Sequence, residues 1–301
     1  MASTPADPLA HFDACRADLL ALAYRMLGDL GRAEDVVQDA WLRWQTVATP
    51  PDSPRALLIT IVTRLCLTEL GSARARREES RPDRLPEPID LVAGGMSRSE
   101  RLEQISMAFL VLLQRLTPAQ RAVLLLHDVF DFEHAEIAAL VGASAPASRK
   151  LLERARRRLA GERPLLSASL DEHRRLLQAF VTAASAGDLK ALLQLLAPDA
   201  VLISDGGTEG RSIGWQRNLT RPLVGAARVA AFIAATSAQA AGRLRVEPRE
   251  LNGQPAIVFW QGAEPFAALL LAVAEGKVRR VFFHADRERL RHLGAPTKTN
   301  S

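Results

Sequence analysis

One short stretch of the sequence, ASRKLLERARRRLAG at residues 147–161, concentrates cations on what its spacing predicts to be one helix. The leucines within it recur at helical spacing and would be buried. The cations are Arg149, Lys150, Arg154, Arg156, Arg157 and Arg158. A run of this kind is either a solvated helix surface or a binding surface for a polyanion.

The residues around this run favour binding. FEHAEIAALVGASAPASRKLLERARRRL, residues 132–159, predicts a helix, a turn at Gly142 and a second helix capped by Ser144. In a DNA-binding helix-turn-helix the second helix lies in the major groove, and its first residues reach base edges. The predicted base-reading residues are Ser148, Arg149 and Lys150, and the predicted phosphate-binding residues are Arg154, Arg157 and Arg158.

An earlier helix, predicted from AEDVVQDAWLRW at residues 33–44, has the opposite charge. Its apolar residues recur at helical spacing and would form a buried stripe. Its polar side carries Glu34, Asp35, Gln38 and Asp39. Because carboxylates repel a polyanion, this side is predicted to face either solvent or a basic protein partner.

A further basic helix is predicted after the proline-rich loop TVATPPDSP, where Ser53 can cap it. Its cations are Arg55, Arg64, Arg74, Arg76 and Arg77. Cations at the end of a helix favour its own dipole and need no partner. Two basic helices joined by the proline- and glycine-containing stretch EESRPDRLPEPIDLVAGGMSRS favour a second contact with DNA.

The composition sets the broad class. The chain has 301 residues and a net charge of +5, so two or three domains and an acidic partner are expected. Cys15 and Cys66 lie in leucine-rich helical patterns and are predicted to be core thiols. The first residues do not resemble a secretory signal, and no apolar run approaches the ~20 residues of a membrane span. We therefore expect a cytoplasmic protein without membrane contact, metal or cofactor.

The sequence pattern changes after Pro164. Helices are predicted at 170–185, 187–196 and 225–238, with strands at 200–204, 243–251, 255–261, 265–274 and 277–284. The dipeptides in NGQP and EGKV are typical of tight turns between strands. This order predicts an α+β domain with a curved sheet.

Three motifs in order resemble the sigma-70 family. AEDVVQDAWLRW resembles region 2.2, PRALLITIVTRLCLTELGSARARRE resembles regions 2.3 and 2.4, and LTPAQRAVLLLHDVFDFEHAEIAALVGASAPASRKLLERARRRL resembles region 4.2. The layout, without region 1.1 or a large region 3, resembles the extracytoplasmic-function group, group 4. RLPEP at 84–88, DGG at 205–207 and DRERL at 286–290 resemble the WLPEP, DGGG and NPDKL motifs of SigJ-type factors, which carry a fused SnoaL-like domain.

The resemblance implies two all-α sigma domains followed by an α+β, SnoaL-like, nuclear-transport-factor-like cone. The expected segments are region 2 at 8–78, a flexible linker at 79–104, region 4 at 105–163, the SnoaL-like domain at 168–293 and a disordered tail at 294–301. The implied regulatory residues are Leu85, Pro86, Glu87, Pro88, Asp205, Gly206, Gly207 and Leu290. Arg84 and Thr208 depart from the motifs, where relatives have Trp and Gly.

The resemblance also implies partners. Core RNA polymerase would be held at its β′ clamp helices by Glu34, Asp35, Gln38, Asp39 and Trp41, and region 4 would contact the β flap. The promoter minus-ten element would meet the helix from Arg55 to Arg77, and the minus-thirty-five element the second helix of the helix-turn-helix. A flipped base of the non-template strand needs a pocket, which we place in the loop Val47–Pro54. The resemblance implies no separate anti-sigma factor.

Two other functions stay open from the sequence. A helix-turn-helix regulator could sense a small ligand in a C-terminal pocket, and would bind its operator without polymerase. An enzyme fused to a DNA-binding module would need a buried general base, for which Asp205, His284 and Glu264 are the candidates. Each candidate has a structural explanation at a turn or strand end, so the sequence favours a regulatory C-terminal domain and no catalytic residue.

Overall fold

The computed structural model describes residues 8–47, 51–72, 84–90, 106–166, 168–206, 212–213, 216–217, 219 and 221–296. The chain divides into two compact units. The first contains Met1–Ser80, Ser99–Arg101 and Leu112–Gly161, and the second contains Arg81–Arg98, Leu102–Val111 and Glu162–Ser301. No helix among the described residues is both long and apolar enough to cross a bilayer.

The first unit is helical. Its helices are α1 (Pro8–Leu27), α2 (Leu30–Trp44), α3 (Pro54–Leu70), the end of α4 (Met107–Gln114), α5 (Pro118–Asp128), α6 (His134–Val141) and α7 (Ala145–Leu159). Ser53 and Ser144 cap α3 and α7 as predicted, each hydroxyl accepting from a backbone N–H of the first turn. Gly142 ends α6 at φ 66°, a left-handed conformation that favours glycine.

A buried arginine joins the helices of this unit. Arg121 of α5 donates to the carbonyl oxygens of Leu113 and Leu116 near the end of α4, and to that of Met26 near the end of α1. The last carbonyls of a helix have no partner within the helix, and cations are favourable there. Arg121 therefore fixes α1 against α5, so the two predicted sigma regions form one compact unit in this structure.

The second unit is an α+β domain. It contains α8 (Leu170–Ser185), α9 (Leu189–Leu195), α10 (Ala226–Ala240) and α11 (Arg287–Leu290), and the strands β1 (Leu196–Asp205), β2 (Ser212–Ile213), β3 (Gln216–Arg217), β4 (Leu223–Val224), β5 (Arg245–Leu251), β6 (Gln254–Gln261), β7 (Glu264–Ala274) and β8 (Lys277–His284). The main sheet has the order β4-β1-β8-β7-β6-β5. Only the β1–β8 pair is parallel among its strand pairings in the described residues.

The two predicted hairpin turns form at the predicted residues. Asn252 and Gly253 both have positive φ between β5 and β6, and Glu275 and Gly276 do so between β7 and β8. Two successive residues with positive φ form a turn whose twist matches that of paired strands. The predicted α+β class and the meander are thus confirmed.

Both faces of the sheet are covered. On one face α8, α9 and α10 pack over a core that includes Phe180, Leu202 and Leu271. The opposite face is covered by Leu85, by the start of α4 and by the residues after β8, with Leu290 fully buried. Side chains alternate along a strand, so one strand supplies residues to both cores.

The predicted linker needs a correction at residues 84–90. Leu85 to Asp90 are buried against the sheet of the second unit, so this part is not flexible. Met107 also joins that sheet, its N–H donating to Oε1 of Gln254 at 3.0 Å. At the other end, Ala295 of the predicted disordered tail accepts a bond from Arg249 at 2.7 Å. The sheet thus supplies hydrogen-bond partners for backbone groups of all three segments.

Both cysteines are buried, as predicted for core thiols. Burial raises the pKa of both thiols above the ordinary value.

Candidate functional site

The acidic surface of α2 forms as predicted. Asp29 caps the helix by accepting from the N–H of Arg32 at 3.1 Å, and the apolar residues of α2 face the core. This orientation leaves the predicted polar set, Glu34, Asp35, Gln38 and Asp39, exposed along one side. Trp41 is half-buried, and its ring packs against Phe12 of α1 with 5.0 Å between centroids. Trp41 therefore anchors α2 to α1 as well as bordering the surface.

Leu42 also lies on this surface, although it was not among the predicted residues. Its side chain is 54% exposed although it is apolar. It follows Asp35 by seven residues and Asp39 by three, which places all three on the same side of the helix. A single exposed apolar residue is common on protein surfaces, and here it lies beside the carboxylates of the predicted docking side. In the sequence, the distance of seven residues between Asp35 and Leu42 was the signal that could have placed Leu42 on this surface.

The basic residues of α3 do not form one surface. The guanidinium of Arg55 contacts Asp18 at 3.1 Å and lies over the ring of Phe130 at 5.8 Å. Arg64 is exposed, but it follows Arg55 by nine residues and so points to the opposite side of the helix. Arg55 and Arg64 therefore do not share one exposed surface in this structure, and their contact with minus-ten DNA remains a prediction. Arg74, Arg76 and Arg77 lie outside the described residues, as do residues 48–50 of the predicted base pocket.

The second helix of the helix-turn-helix, α7, presents its cations to solvent. Leu152, Ala155 and Leu159 form its buried side. The exposed residues include all the predicted cations: Arg149, Lys150, Arg154, Arg157 and Arg158. Arg156 is also exposed and pairs with Asp128 at 2.6 Å. Burial acts to raise the pKa of Asp128, but the contacts with Arg156 and His127 outweigh it, so this pKa lies below its ordinary value. Arg149 and Lys150 thus lie at the start of α7, where the motif places base readers.

Ser148 does not belong to this surface. Its side chain is fully buried, and its hydroxyl bonds Nδ1 of His134 at 3.0 Å. The ring of His134 stacks on that of His127 with 4.7 Å between centroids. Partial burial and the cations of His127 and Arg149 lower the pKa of His134. The prediction that Ser148 reads a base is therefore wrong, since its hydroxyl fixes α7 against α6.

The motif residues of the second unit meet at one buried point. The N–H of Leu85 donates to Oδ2 of Asp205 at 2.9 Å, and Arg289 contacts the same oxygen at 3.2 Å. Arg289 also donates to the carbonyl oxygen of Leu85. The structure thus brings Leu85, Asp205 and Leu290 together, while Arg289 was missed by the sequence analysis. Gly206 is half-buried beside Asp205, and Gly207 lies outside the described residues.

The rest of segment 84–90 is held along the sheet. The backbone of Ile89 exchanges two hydrogen bonds with Asn252, at 2.9 and 3.2 Å. Asp90 pairs with Arg249 at 2.9 Å, and Glu87 lies 3.4 Å from His292. Pro86 and Pro88 are buried between these contacts. The segment is therefore fixed at both ends by buried polar partners.

Only two of the three candidate general bases lie side by side. Asp205 and His284 are buried register partners on β1 and β8, whereas Glu264 is exposed at the start of β7. Burial and the cation of Arg289 lower the pKa of His284 to about 3. Asp205 is already bonded to Leu85 and Arg289.

Known proteins resemble this chain in sequence and in fold. The sequence matches the family described as Sigma-70 region 2 over residues 11–76, Sigma-70 region 4 over 106–159, and the SnoaL-like domain over 177–284. The ECF RNA polymerase sigma factor SigJ of Mycobacterium tuberculosis is 37% identical over 232 residues, which are 75% of this chain and 72% of that protein. The chain belongs to the extracytoplasmic-function sigma factors of the sigma-70 family.

Two further comparisons extend over most of the chain. The probable ECF RNA polymerase sigma factor SigI of M. tuberculosis is 33% identical over 280 residues, or 91% of this chain and 92% of that protein. The crystal structure of M. tuberculosis SigJ matches with a TM-score of 0.72 at 29% identity, covering 96% of this chain and all of that one. In this sigma factor, α1–α3 thus belong to region 2, and α4–α7 to region 4. As a family, sigma factors are non-catalytic and direct promoter-specific initiation by RNA polymerase.

Removing the Arg149 side chain is expected to relax the promoter preference of the sigma factor. Arg149→Ala should weaken binding of the holoenzyme to its minus-thirty-five element by about 1–3 kcal/mol, because a bidentate arginine–base contact contributes that much. Arg175→Ala is the matched control, since it removes an exposed arginine from α8 of the C-terminal domain, and it should leave base preference unchanged. Binding to a library of minus-thirty-five variants measures both. A uniform loss across all sequences would place Arg149 on phosphate instead.

Proposed function

We propose that this sigma factor docks on the β′ clamp helices of core RNA polymerase through the exposed acidic side of α2. The observation that carries this proposal is the exposure of Asp35, Asp39 and Leu42 on one side of a helix whose other side is buried. Carboxylates around an apolar residue complement a basic partner surface and steer its approach. The chain would then work where the polymerase is, in the cytoplasm.

The basic side of α7 would read the minus-thirty-five element. Arg149 and Lys150 reach base edges, and Arg154, Arg157 and Arg158 hold phosphates. In the minus-ten contact, Arg64 is the exposed cation of α3, and Arg74, Arg76 and Arg77 remain predictions. Arg55 could join only after leaving Asp18 and Phe130. Region 4 would also contact the β flap.

A run-off transcription assay tests the proposed function. Core RNA polymerase with the purified chain should give specific transcripts from a cognate promoter, and core polymerase alone should not. A mobility shift without polymerase separates the sigma factor from an ordinary helix-turn-helix regulator. Tight operator binding by the free chain, with no binding to core polymerase at low salt, would refute the proposal.

The C-terminal domain would regulate the factor and catalyse nothing. Two of the candidate general bases support this. The carboxylate of Asp205 is already bonded to Leu85 and Arg289, and Glu264 is exposed while Asp205 and His284 are buried. The buried contacts hold segment 84–90, which joins regions 2 and 4 in the sequence. A domain that restrains this segment from within the same chain supports regulation without a separate anti-sigma factor.

Breaking the contact between Arg289 and Asp205 is expected to increase transcription. Arg289→Met removes the bonds to Asp205 and to the carbonyl oxygen of Leu85, which frees one end of segment 84–90. Regions 2 and 4 are packed together by Arg121, and they must separate to reach two promoter elements. We expect at least a threefold rise in run-off transcripts at limiting sigma factor.

Arg291→Met is the matched control for this variant. Arg291 is exposed two residues later and bonds only locally, to the carbonyl oxygen of Glu288 at 3.0 Å. It should transcribe as the unmodified chain does. Circular dichroism checks that both variants are folded. Unchanged transcription by folded Arg289→Met would refute restraint of the segment at this contact.

A further inference from the structure

A groove of about 860 Å³ lies at the edge of the C-terminal sheet, and its lining includes the Asp90–Arg249 pair at the end of segment 84–90. We call it the α8–β5 groove. One wall is α8, which packs on β6 and β7, and the other wall is β5 with the start of β6. Its apolar lining consists of Leu177, Val181, Val246, Pro248, Pro255, Ala256 and Ile257. The volume is in the range of small-molecule sites, about 300–1,000 Å³.

The groove is separate from the interior of the domain. Phe180, Leu202, Leu269 and other buried side chains already fill the space between the helices and the middle of the sheet. The groove instead lies over the edge strand β5, where Val246 is 45% exposed and pairs with Phe259. Water in the groove therefore contacts an apolar surface that the helices leave uncovered. Replacing that water by an apolar group is favourable, at about 25 cal/mol per Å² buried.

The charged groups bordering the groove are compensated within the protein. Arg249 contacts Asp90 at 2.9 Å and Glu247 at 2.6 Å, and Arg174 contacts Asp171 at 2.7 Å. Glu250 adds a further carboxylate, so carboxylates outnumber guanidinium groups in the lining. An anionic ligand would meet net repulsion there. The exposed amide of Gln178 and hydroxyl of Thr182 offer neutral hydrogen bonds on the α8 wall.

We propose that the α8–β5 groove is a binding site for a neutral, largely apolar small molecule with a hydrogen-bonding group directed at Gln178 or Thr182. Asp90 borders the groove and ends segment 84–90, so the bound molecule would act on that segment through the Asp90–Arg249 pair. This regulatory consequence rests on the proposed autoregulation. Binding itself does not depend on it, and the experiment measures binding.

Two fluorescent probes with one aromatic skeleton test the proposed ligand class. The neutral probe N-phenylnaphthylamine should bind the full-length chain saturably with a fluorescence increase. Anilinonaphthalene sulfonate, which adds an anionic group, should bind at least about tenfold more weakly, because carboxylates border the groove. Equal or tighter binding of the sulfonate, or no saturable binding of the neutral probe, would overturn the proposal.

Variants locate the bound probe. Val246→Asp puts a charge in the apolar wall and should weaken neutral-probe binding at least tenfold. Val224→Asp is the matched control, since Val224 is 53% exposed on β4, the opposite edge strand, and it should stay within twofold of the unmodified chain. Gln178→Trp fills the groove from α8 and should also weaken binding at least tenfold. Unchanged binding by a folded Val246→Asp or Gln178→Trp variant would place the probe elsewhere and overturn the proposal.

Discussion

The double variant Asp35→Arg with Asp39→Arg is expected to bind core RNA polymerase at least about 100-fold more weakly than the unmodified chain. Both carboxylates are exposed on α2, and a basic partner would meet like charges in the variant. Like charges facing each other across an interface cost several kcal/mol, and 100-fold corresponds to about 2.8 kcal/mol. Titration of labelled sigma factor with core polymerase at low salt measures the change.

A second double variant controls for net charge. Asp13→Arg with Glu264→Arg changes the charge by the same amount at exposed positions of α1 and β7. It should bind core polymerase within twofold of the unmodified chain. Neither pair is buried, so both variants should keep the circular dichroism spectrum of the parent. If the Asp35 and Asp39 variant bound normally, α2 would not be the docking surface.

The sequence was sufficient to predict the acidic surface because local rules determine it. The apolar period of α2 defines its buried side, and Asp29 caps its first turn. The remaining polar residues can only be exposed. Leu42 was not predicted because the exposed side was identified from polar residues alone, although its distance of seven residues from Asp35 places it on that side. The hairpin turns were predictable for the same local reason.

The contacts of Ser148 and Arg55 could not be predicted from the sequence, because they depend on neighbouring helices. Ser148 lies in the first turn of α7, which agrees with the motif, but its side chain points to His134 on the preceding helix. Arg55 forms an ion pair with Asp18 and lies over the ring of Phe130. A helical period assigns a residue to one side of its own helix. It does not specify which neighbouring helix covers that side, because helix packing depends on both partners.

Segment 84–90 shows most clearly what local sequence patterns cannot predict. Its prolines are typical of a linker, and nothing local predicts burial. Leu85, Ile89 and Asp90 are held by partners at least 120 residues later in the chain. The family motifs indicated Leu85 and Asp205 among the regulatory residues but did not pair them. Arg289, which completes the contact, lies in the segment that departs most from its motif. The structure was needed to connect these three residues.

Mild acid is expected to destabilise the C-terminal domain through His284. Burial lowers its folded-state pKa from 6.5 to about 3, with a smaller contribution from the cation of Arg289. Between these values the unfolded chain binds a proton that the folded chain does not. Stability is therefore complete above about pH 6.5 and falls with decreasing pH, by about 1.4 kcal/mol per unit. At pH 4.5 the loss relative to pH 7 is roughly 2–3 kcal/mol, measured by urea denaturation.

The variant His284→Leu isolates this group from the other acids that titrate in the same window. Leucine cannot bind a proton, so the pH dependence of unfolding should be shallower by about the amount assigned to His284. Nε2 of His284 is buried and has no hydrogen-bond partner among the residues that the structure describes, so the variant should also gain stability at pH 7, by about 1 kcal/mol. Equal pH dependence in the variant and the unmodified chain would mean that His284 is solvated or paired in the folded protein. In that case another group would have to explain the acid sensitivity of the domain.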